Sequence, residues 1–266
     1  MEYTCNLSGN KFTVKDIDKH REGANVFGLN SRMRAIIYVL IKTVLKSDGI
    51  LSIISSNKNI RGIGMSDSNN LASELSKKFN YVNTYYHKPP LLDIYNDKHI
   101  STYNNLDFII SSDVFEHISP YPNLQIAFNN LFKILKKGGH IIFSVPFIYD
   151  NYYEHFPSLY KYSIEVDKTI NKYYIKNINI DGHEELFWTC KTPSGGIGDL
   201  CFHGGPGSTL EMRIFSHDIL IKYLKDAGFK EITFYDPNEI TDMQKYGIFW
   251  ENKCSLVCYC YKTLII

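Results

Sequence analysis

Acidic and basic side chains that can perform acid–base chemistry follow an apolar run near the middle of the chain. Residues 106–111 (LDFIIS) form the clearest strand pattern, and Asp113, Glu116 and His117 come directly after it. These side chains have three interpretations. They hold the loop through hydrogen bonds, they face a bound cofactor or substrate, or the two carboxylates and the imidazole bind a divalent cation such as Mg²⁺. Glu116 and His117 are therefore candidate catalytic residues.

Two further histidines lie in a long segment, 148–209, that is rich in aromatic residues and shows no regular pattern. Histidine titrates near neutral pH, so His155 and His203 are candidates for a base that takes the proton of a hydroxyl group. The alternatives are a structural histidine and, for His203 in HGGPG, a plain tight turn. An insertion of this length favours a cover over a substrate.

Aromatic and cationic side chains in and after this segment suit the binding of a sugar face or a phosphate. The candidate substrate contacts are Tyr152, Tyr153, Tyr160 and Arg213. They lie downstream of the strand pattern HIIFSVPF and close to both histidines in sequence. This placement predicts an acceptor pocket built from the insertion.

The first 30 residues have the spacing of a four-cysteine zinc ribbon but not its ligands. The positions of the C-x2-C-x15-C-x2-C pattern are occupied by Cys5, Ser8, Ala24 and Phe27. Structural zinc needs all four ligands. We interpret residues 1–30 as a degenerate zinc ribbon, and the sequence predicts no bound metal.

The elements that must position these residues alternate between helix and strand patterns, which favours an α/β fold. Helix patterns cover residues 31–46, 68–79, 123–136 and 216–227, and strand patterns cover 50–54, 60–65, 81–86, 106–111, 140–147, 229–235 and 255–261. The proline pair at 89–90 must end the third of these strands.

The composition excludes several classes of protein. The chain has 29 Lys and Arg against 28 Asp and Glu, so it has no excess of positive charge for a nucleic-acid backbone. Its longest apolar run, 35–45, is shorter than the roughly 20 residues of a membrane helix. Six cysteines do not indicate a disulfide framework in a chain of 266 residues, and no secretion signal is recognisable. We expect a cytoplasmic protein with no nucleic-acid partner and no membrane span.

The central pattern resembles a known enzyme family. LDFIISSDVFEHI, a helix ending in LKKGG, and HIIFSVPF are similar to the fourth-to-fifth-strand region of class I S-adenosylmethionine-dependent methyltransferases. KYLKDAGFKEITFYD is similar to the terminal hairpin of the same fold. The resemblance implies a Rossmann-like α/β domain over residues 31–266, with helices on both faces of a seven-stranded, mostly parallel sheet. It also implies S-adenosylmethionine as cofactor, across the carboxyl ends of the strands.

The family's glycine-rich turn after the first strand is missing, so two registers are open. In one, GIGMSD follows the first strand. In the other, which the sequence favours, ILSII is the first strand and IRGIGMSD is the second. The candidate cofactor contacts are Ser55, Gly64, Met65, Ser66, Asp67, Asp93, Ile94, Ser112 and Asp113. Arg32 and Arg34 are candidates for the cofactor's carboxylate, or lie on a solvated helix face.

A narrower resemblance is carried by GIGMSDSNNLASELSKKFNYVNTYYHKPPLLDI, which is similar to methyltransferases encoded with surface-polysaccharide enzymes. It implies O-methylation of a sugar, a nucleotide sugar or a glycan-linked group. His155 is the favoured base, because the family's acceptor pocket often follows the fifth strand. Two alternatives are methylation of a phosphate or phosphoramidate oxygen in capsule modification, which needs no base, and a non-catalytic module that has lost the methyl donor. The acceptor and the oligomeric state stay open.

Overall fold

The structure is a computed structural model that describes residues 1–120, 123–149, 151–157, 159, 161–169, 172–178, 182–188, 201–203 and 209–263. In chain order the strands are β1 (Glu2–Thr4), β2 (Lys11–Thr13), β3 (Arg61–Met65), β4 (Asn80–Thr84), β5 (Leu106–Ser112), β6 (Leu135–Ser144), β7 (Phe147–Ile148), β8 (Tyr153–Glu154), β9 (Lys161–Asp167), β10 (Lys172–Ile178), β11 (Glu184–Trp188), β12 (Phe202–His203), β13 (Thr209–Leu210), β14 (Arg213–Ser216), β15 (Phe229–Tyr235) and β16 (Val257–Lys262). The α-helices are α1 (Ser31–Thr43), α2 (Asn69–Lys78), α3 (Asp97–Thr102), α4 (Leu124–Ile134) and α5 (His217–Ala227).

The central sheet has the strand order β15-β16-β6-β5-β3-β4. The pairs β3–β4, β3–β5 and β5–β6 are parallel, and β16 pairs antiparallel with both β6 and β15. Neighbouring residues of a strand point to opposite faces of the sheet. Ile109 and Ile110 of β5 have no exposed surface, so both faces of the sheet are covered. The chain therefore has a Rossmann-like α/β fold with a mostly parallel sheet.

The sheet that the structure describes has six strands, not the expected seven. Between β4 and β5 the chain forms α3 and one isolated parallel bridge, from Tyr85 to Leu91. Pro89 and Pro90 lie between the two bridged residues and have no N–H group to donate to a strand ladder. The chain between β4 and β5 thus contributes a bridge in place of the seventh strand.

The favoured register is also wrong, because ILSII is not a strand. Leu51–Ile53 form a single 3-10 turn, in which only Leu51 is buried. β3 pairs directly with β5, with Ile63 opposite Ile109. β3 therefore occupies the place of the first strand. The residues GIGM are the end of this strand, and only Ser66 and Asp67 of GIGMSD lie in the loop that follows it.

Arg34 fastens the first 30 residues to the rest of the chain. Its side chain is fully buried, and its guanidinium donates to the carbonyl oxygens of Leu29 (3.0 Å), Ala24 (2.8 Å) and Gly247 (3.0 Å). Burial lowers the pKa of Arg34 to about 10, so the side chain remains charged at neutral pH. Arg34 contacts carbonyl groups of two chain segments that are far apart in sequence, so it is not a residue of a solvated helix face.

The insertion is more regular than its sequence predicts. β9, β10 and β11 form an antiparallel sheet, and β8 and β7 pair with opposite sides of β14. β9 is exposed along most of its length on both faces, so its sequence lacks the alternation that marks a half-buried strand. A small second core contains Phe156, Leu159, Ile175, Phe202, Leu210 and Met212. In the described part of the chain, no helix combines the length and the apolar character that crossing a membrane requires.

We expect Arg34→Lys to destabilise the protein by about 2 to 4 kcal/mol, because an ammonium group cannot reproduce the planar fork that bonds three carbonyls. The free energy of unfolding in urea measures the effect. Arg61→Lys is the control: Arg61 is only half-buried, and we expect a change below about 0.5 kcal/mol. Equal stability of the Arg34→Lys variant and the parent protein would contradict this role of Arg34.

Candidate active site

The strand order of the sheet reverses at the carboxyl ends of β3 and β5, and we call this place the crevice. From β3 the chain passes to β4 on one side, whereas β5 lies on the other side of β3, and ligands bind at such a reversal of strand order. Ser66 (φ 60°) and Asp113 (φ 52°), which follow these strands, both have left-handed backbone conformations. The structure brings six of the predicted cofactor contacts to this crevice: Gly64, Met65, Ser66, Asp67, Ser112 and Asp113.

Two arginines line the crevice beside Asp113. Arg21 Nη2 donates to both carboxylate oxygens of Asp113 (2.6 and 2.8 Å), and Ser144 Oγ donates to one of them (2.7 Å). Arg32 Nε lies 3.4 Å from Asp113 Oδ2, and Arg32 also bonds Ser112. Burial raises the pKa of Asp113, but Arg32 and Arg21 outweigh it and the net shift is downward. The Asp113 carboxylate is therefore bound by the two arginines.

Asp67 faces the interior below the crevice. It is 6% exposed, and its carboxyl group accepts a hydrogen bond from the Tyr81 hydroxyl. Burial raises the pKa of Asp67 to about 7. A Cβ atom at Gly64 would overlap both Asp67 and Tyr81, so glycine is required here for space. The other carboxyl oxygen, Oδ1, is buried without a hydrogen-bond partner among the described residues.

The remaining predicted cofactor contacts divide between the two ends of the sheet. Asp93 lies beyond the carboxyl end of β4, where its carboxylate accepts from Tyr95 N (2.9 Å), and Ile94 is buried beside it. Ser55 lies before β3, in a segment bound by Lys78 at the end of α2. Ser55 therefore lies towards the amino end of β3, away from the crevice. The prediction that Ser55 contacts the cofactor depends on the strand register that the structure contradicts.

The four predicted catalytic residues come together in one cluster, which also contains Glu211. We call Glu116, His117, His155, His203 and Glu211 the histidine cluster. Glu116 Oε1 lies 3.5 Å from both His117 Nε2 and His203 Nδ1. Glu211 lies 3.1 Å from His203 Nε2 through Oε2 and 3.5 Å from His155 Nε2 through Oε1.

The chain after β5 and the insertion form this cluster jointly. Glu116 and His117 lie in the 3-10 turn Phe115–His117, and the Glu116 carbonyl accepts from Met212 N (2.7 Å). His117 Nδ1 lies 2.7 Å from the Leu210 carbonyl oxygen. Asp113 is held apart by the arginines, so the Mg²⁺ interpretation of Asp113, Glu116 and His117 is wrong for this arrangement.

Burial and mutual contacts shift the protonation of the cluster. Burial raises the pKa of Glu116 to about 7, against the opposing effect of His203. Burial lowers the pKa of His117 to about 4. Contact with Cys201, and then with Glu116 and Glu211, raises the pKa of His203 to about 12. Burial raises the pKa of Glu211, but the effect of His155 and His203 is larger and lowers this pKa to about 2. At neutral pH His203 is a cation and His117 is a neutral imidazole.

Of the predicted substrate contacts, Arg213 contacts the turn that carries Glu116 and His117. Arg213 is fully buried; its Nε donates to Glu154 Oε2 (2.8 Å) and its Nη1 to the Phe115 carbonyl (2.8 Å). The Tyr152 hydroxyl donates to the same Glu154 oxygen (2.6 Å). Tyr153 is half-buried in β8, and Tyr160 lies outside the described residues, as does most of the HGGPG turn. Arg213 and Tyr152 thus support the turn that carries Glu116 and His117.

We expect Asp67→Asn to change the pH dependence of stability. The raised pKa of Asp67 means that the folded protein holds this proton up to about pH 7, so stability is lost as pH rises from the unfolded carboxyl's value toward 7. Between pH 5 and 8 the variant should gain about 2 to 3 kcal/mol relative to the parent protein. Urea unfolding across this range measures the difference. The exposed Asp97→Asn is the control and should give no such trend; parallel curves for Asp67→Asn would contradict the assignment.

No protein-family model matches the chain, and no curated protein matches its sequence. Among solved structures, an S-adenosylmethionine-dependent methyltransferase from Clostridium acetobutylicum ATCC 824 is 14% identical, over 88% of this chain and 92% of its own, with a TM-score of 0.44. CalS10, an amino pentose methyltransferase from Micromonospora echinaspora, is 9% identical over 89% and 93% of the two chains (TM-score 0.44). The sugar N-methyltransferase KedS8 from Streptoalloteichus sp ATCC 53650 is 8% identical over 77% and 81% (TM-score 0.42). These are likenesses of fold, and the Rossmann-like fold of this chain follows from its own strand order.

Proposed function

We propose that this protein is an S-adenosylmethionine-dependent methyltransferase that acts in the cytoplasm on a hydroxyl group of a sugar, a nucleotide sugar or a surface-glycan-linked group. One observation carries the proposal: a cation-lined crevice at the strand reversal lies next to a cluster of histidines and glutamates. The sequence resemblance over residues 106–147 supports the choice of methyl donor. Segment 148–209 would cover the acceptor.

The residues at the crevice fit the cofactor. Arg21 and Arg32 are the cations at this position. In the structure both pair with Asp113 and Glu22, and each side chain retains 13% of its exposure. The unpartnered Asp67 Oδ1 is an acceptor that a ribose hydroxyl would satisfy. The backbone has left-handed conformations at Ser66 and Asp113, where the chain leaves β3 and β5. S-Adenosylmethionine, when bound, would supply an electrophilic methyl group on a sulfonium.

Geometry favours His117 as the group that takes the acceptor's proton. A carbonyl oxygen only accepts hydrogen bonds, so the 2.7 Å contact with Leu210 places a proton on His117 Nδ1. Nε2 then carries the lone pair that would accept the proton of a hydroxyl group, and it faces one carboxylate oxygen, Glu116 Oε1, at 3.5 Å. His203 faces carboxylates through both ring nitrogens, and the His155 side chain is only 4% exposed. His117 is thus better placed than His155, which the sequence favours.

The chain's contribution to the reaction would be orientation and proton removal. The crevice would hold the donor, and His117, four residues beyond Asp113 in the chain, would hold the acceptor hydroxyl by accepting its hydrogen bond. Holding two reactants in near-attack geometry removes much of the entropic barrier to a bimolecular transfer. Accepting the proton prevents positive charge from developing on the acceptor oxygen.

We expect Arg32→Met to weaken binding of S-adenosylhomocysteine at least tenfold, because it removes a charged donor for the ligand's carboxylate. Isothermal calorimetry measures this affinity. Arg61→Met, at the opposite end of β3, is the matched control and should bind normally. Absence of binding to the parent protein at millimolar ligand would favour a non-catalytic module and overturn the proposed function.

We expect His117→Ala to lower kcat by about 10² to 10⁴, the usual contribution of a general base. Affinity for S-adenosylhomocysteine should be unchanged, which separates this effect from loss of fold. His140→Ala, on β6 beside Tyr259, is the control and should keep kcat. Full activity of His117→Ala would contradict the base, and is the result expected if the acceptor is a phosphate or phosphoramidate oxygen.

A further inference from the structure

We propose that Cys201, His203 and Glu211 bind a zinc ion that fastens the β12–β13 hairpin over the carboxyl end of β5. The site lies outside the first 30 residues and does not include the Asp113 carboxylate. Zinc binding here goes beyond methyl transfer and does not depend on it.

The hairpin places the three side chains on one face. Phe202 pairs with Leu210 and His203 with Thr209, and Glu211 N donates to the Cys201 carbonyl (2.8 Å). Side chains alternate along a strand, and Phe202 and Leu210 are buried in the second core. Cys201, His203 and Glu211 therefore point to the other face, where their ligand atoms lie within 4.8 Å of one another.

The chemistry of the three groups suits zinc. A thiolate, an imidazole and a carboxylate are all zinc ligands, and the thiolate disfavours Mg²⁺ and Ca²⁺, which prefer oxygen. His203 Nε2 and Glu211 Oε2 lie 3.1 Å apart. Two ligands of one tetrahedral zinc ion lie about 3.3 Å apart when each bond is about 2.0 Å. Three protein ligands leave a fourth position for water or a substrate group.

Two buried groups next to the hairpin have the positions of outer-shell partners. Glu116 has no exposed surface, and neither of its carboxylate oxygens has a hydrogen-bond partner among the described residues. It faces His203 Nδ1, the nitrogen that zinc would leave free. His155 Nε2, buried and likewise unpartnered, faces the second oxygen of Glu211. Carboxylates commonly orient zinc-bound histidines, and ligating carboxylates are in turn hydrogen-bonded.

A second set, Glu116, His117 and His203, also converges and shares one residue with the first. The first set is the better zinc site because it can be reached from solvent. The His203 side chain is 36% exposed and Cys201 is partly exposed, whereas Glu116 has no exposed surface. A metal site needs an entry path as well as ligands.

The test is metal binding to the full chain after chelation and dialysis. Titration with Zn²⁺ should give one tight site, which Cys201→Ser and Glu211→Gln each weaken by more than about 100-fold. Glu116→Gln should weaken it by about 10- to 100-fold, as expected of an outer-shell partner. Cys254→Ser, which alters another partly exposed thiol, is the matched control and should bind normally.

Substitution with Co²⁺ gives a readout independent of enzyme activity. Thiolate ligation should produce a sulfur-to-cobalt charge-transfer band in the parent protein and in His117→Ala, and no band in Cys201→Ser. Circular dichroism checks that each variant is folded. Loss of the metal in His117→Ala with its retention in Cys201→Ser would assign the ion to the second set and overturn the proposal. Absence of any tight site in the parent protein would also overturn it, whatever its affinity for S-adenosylhomocysteine.

Discussion

A carboxylate with no exposed surface constrains the arrangement of this whole region. Glu116 lies in the turn that follows β5, and burying a carboxylate without a compensating charge is strongly unfavourable. The nearest cation is His203, which comes from the insertion. The backbone bond from Met212 to Glu116 joins the same turn to the chain that directly follows the insertion. The insertion is therefore bound electrostatically to the end of the sheet.

The parts of the fold that sequence predicts well are those with strong local signals. The pattern at 106–111 predicts β5, and the apolar period at 123–136 predicts α4, because burial imposes a clear period on each. ILSII misleads because a short apolar run fits a buried strand and a 3-10 turn equally well. The family resemblance implies a seventh strand, so its absence from the described part of the sheet could not be anticipated.

Some residues of the candidate site are likewise predictable from sequence, and others are not. Glu116, His117, His155 and His203 are recognisable because histidines and carboxylates near strand ends are uncommon and chemically informative. Glu211 and Arg21 carry no such signal. Arg21 reaches Asp113 across 92 positions in sequence, and Glu211 meets His203 through hairpin pairing. Only the tertiary fold brings these pairs together, so no local pattern predicts them.

The buried guanidinium of Arg34 has a consequence for the conditions under which the N-terminal segment keeps its fold. A ribbon closed by four thiolates depends on zinc supply and is lost on oxidation. Here a charged side chain beside Cys5 bonds backbone carbonyls instead. Neither a chelator nor a thiol oxidant acts on those bonds. The bonds by which Arg34 holds this segment are accordingly independent of the metal and redox state of the surroundings.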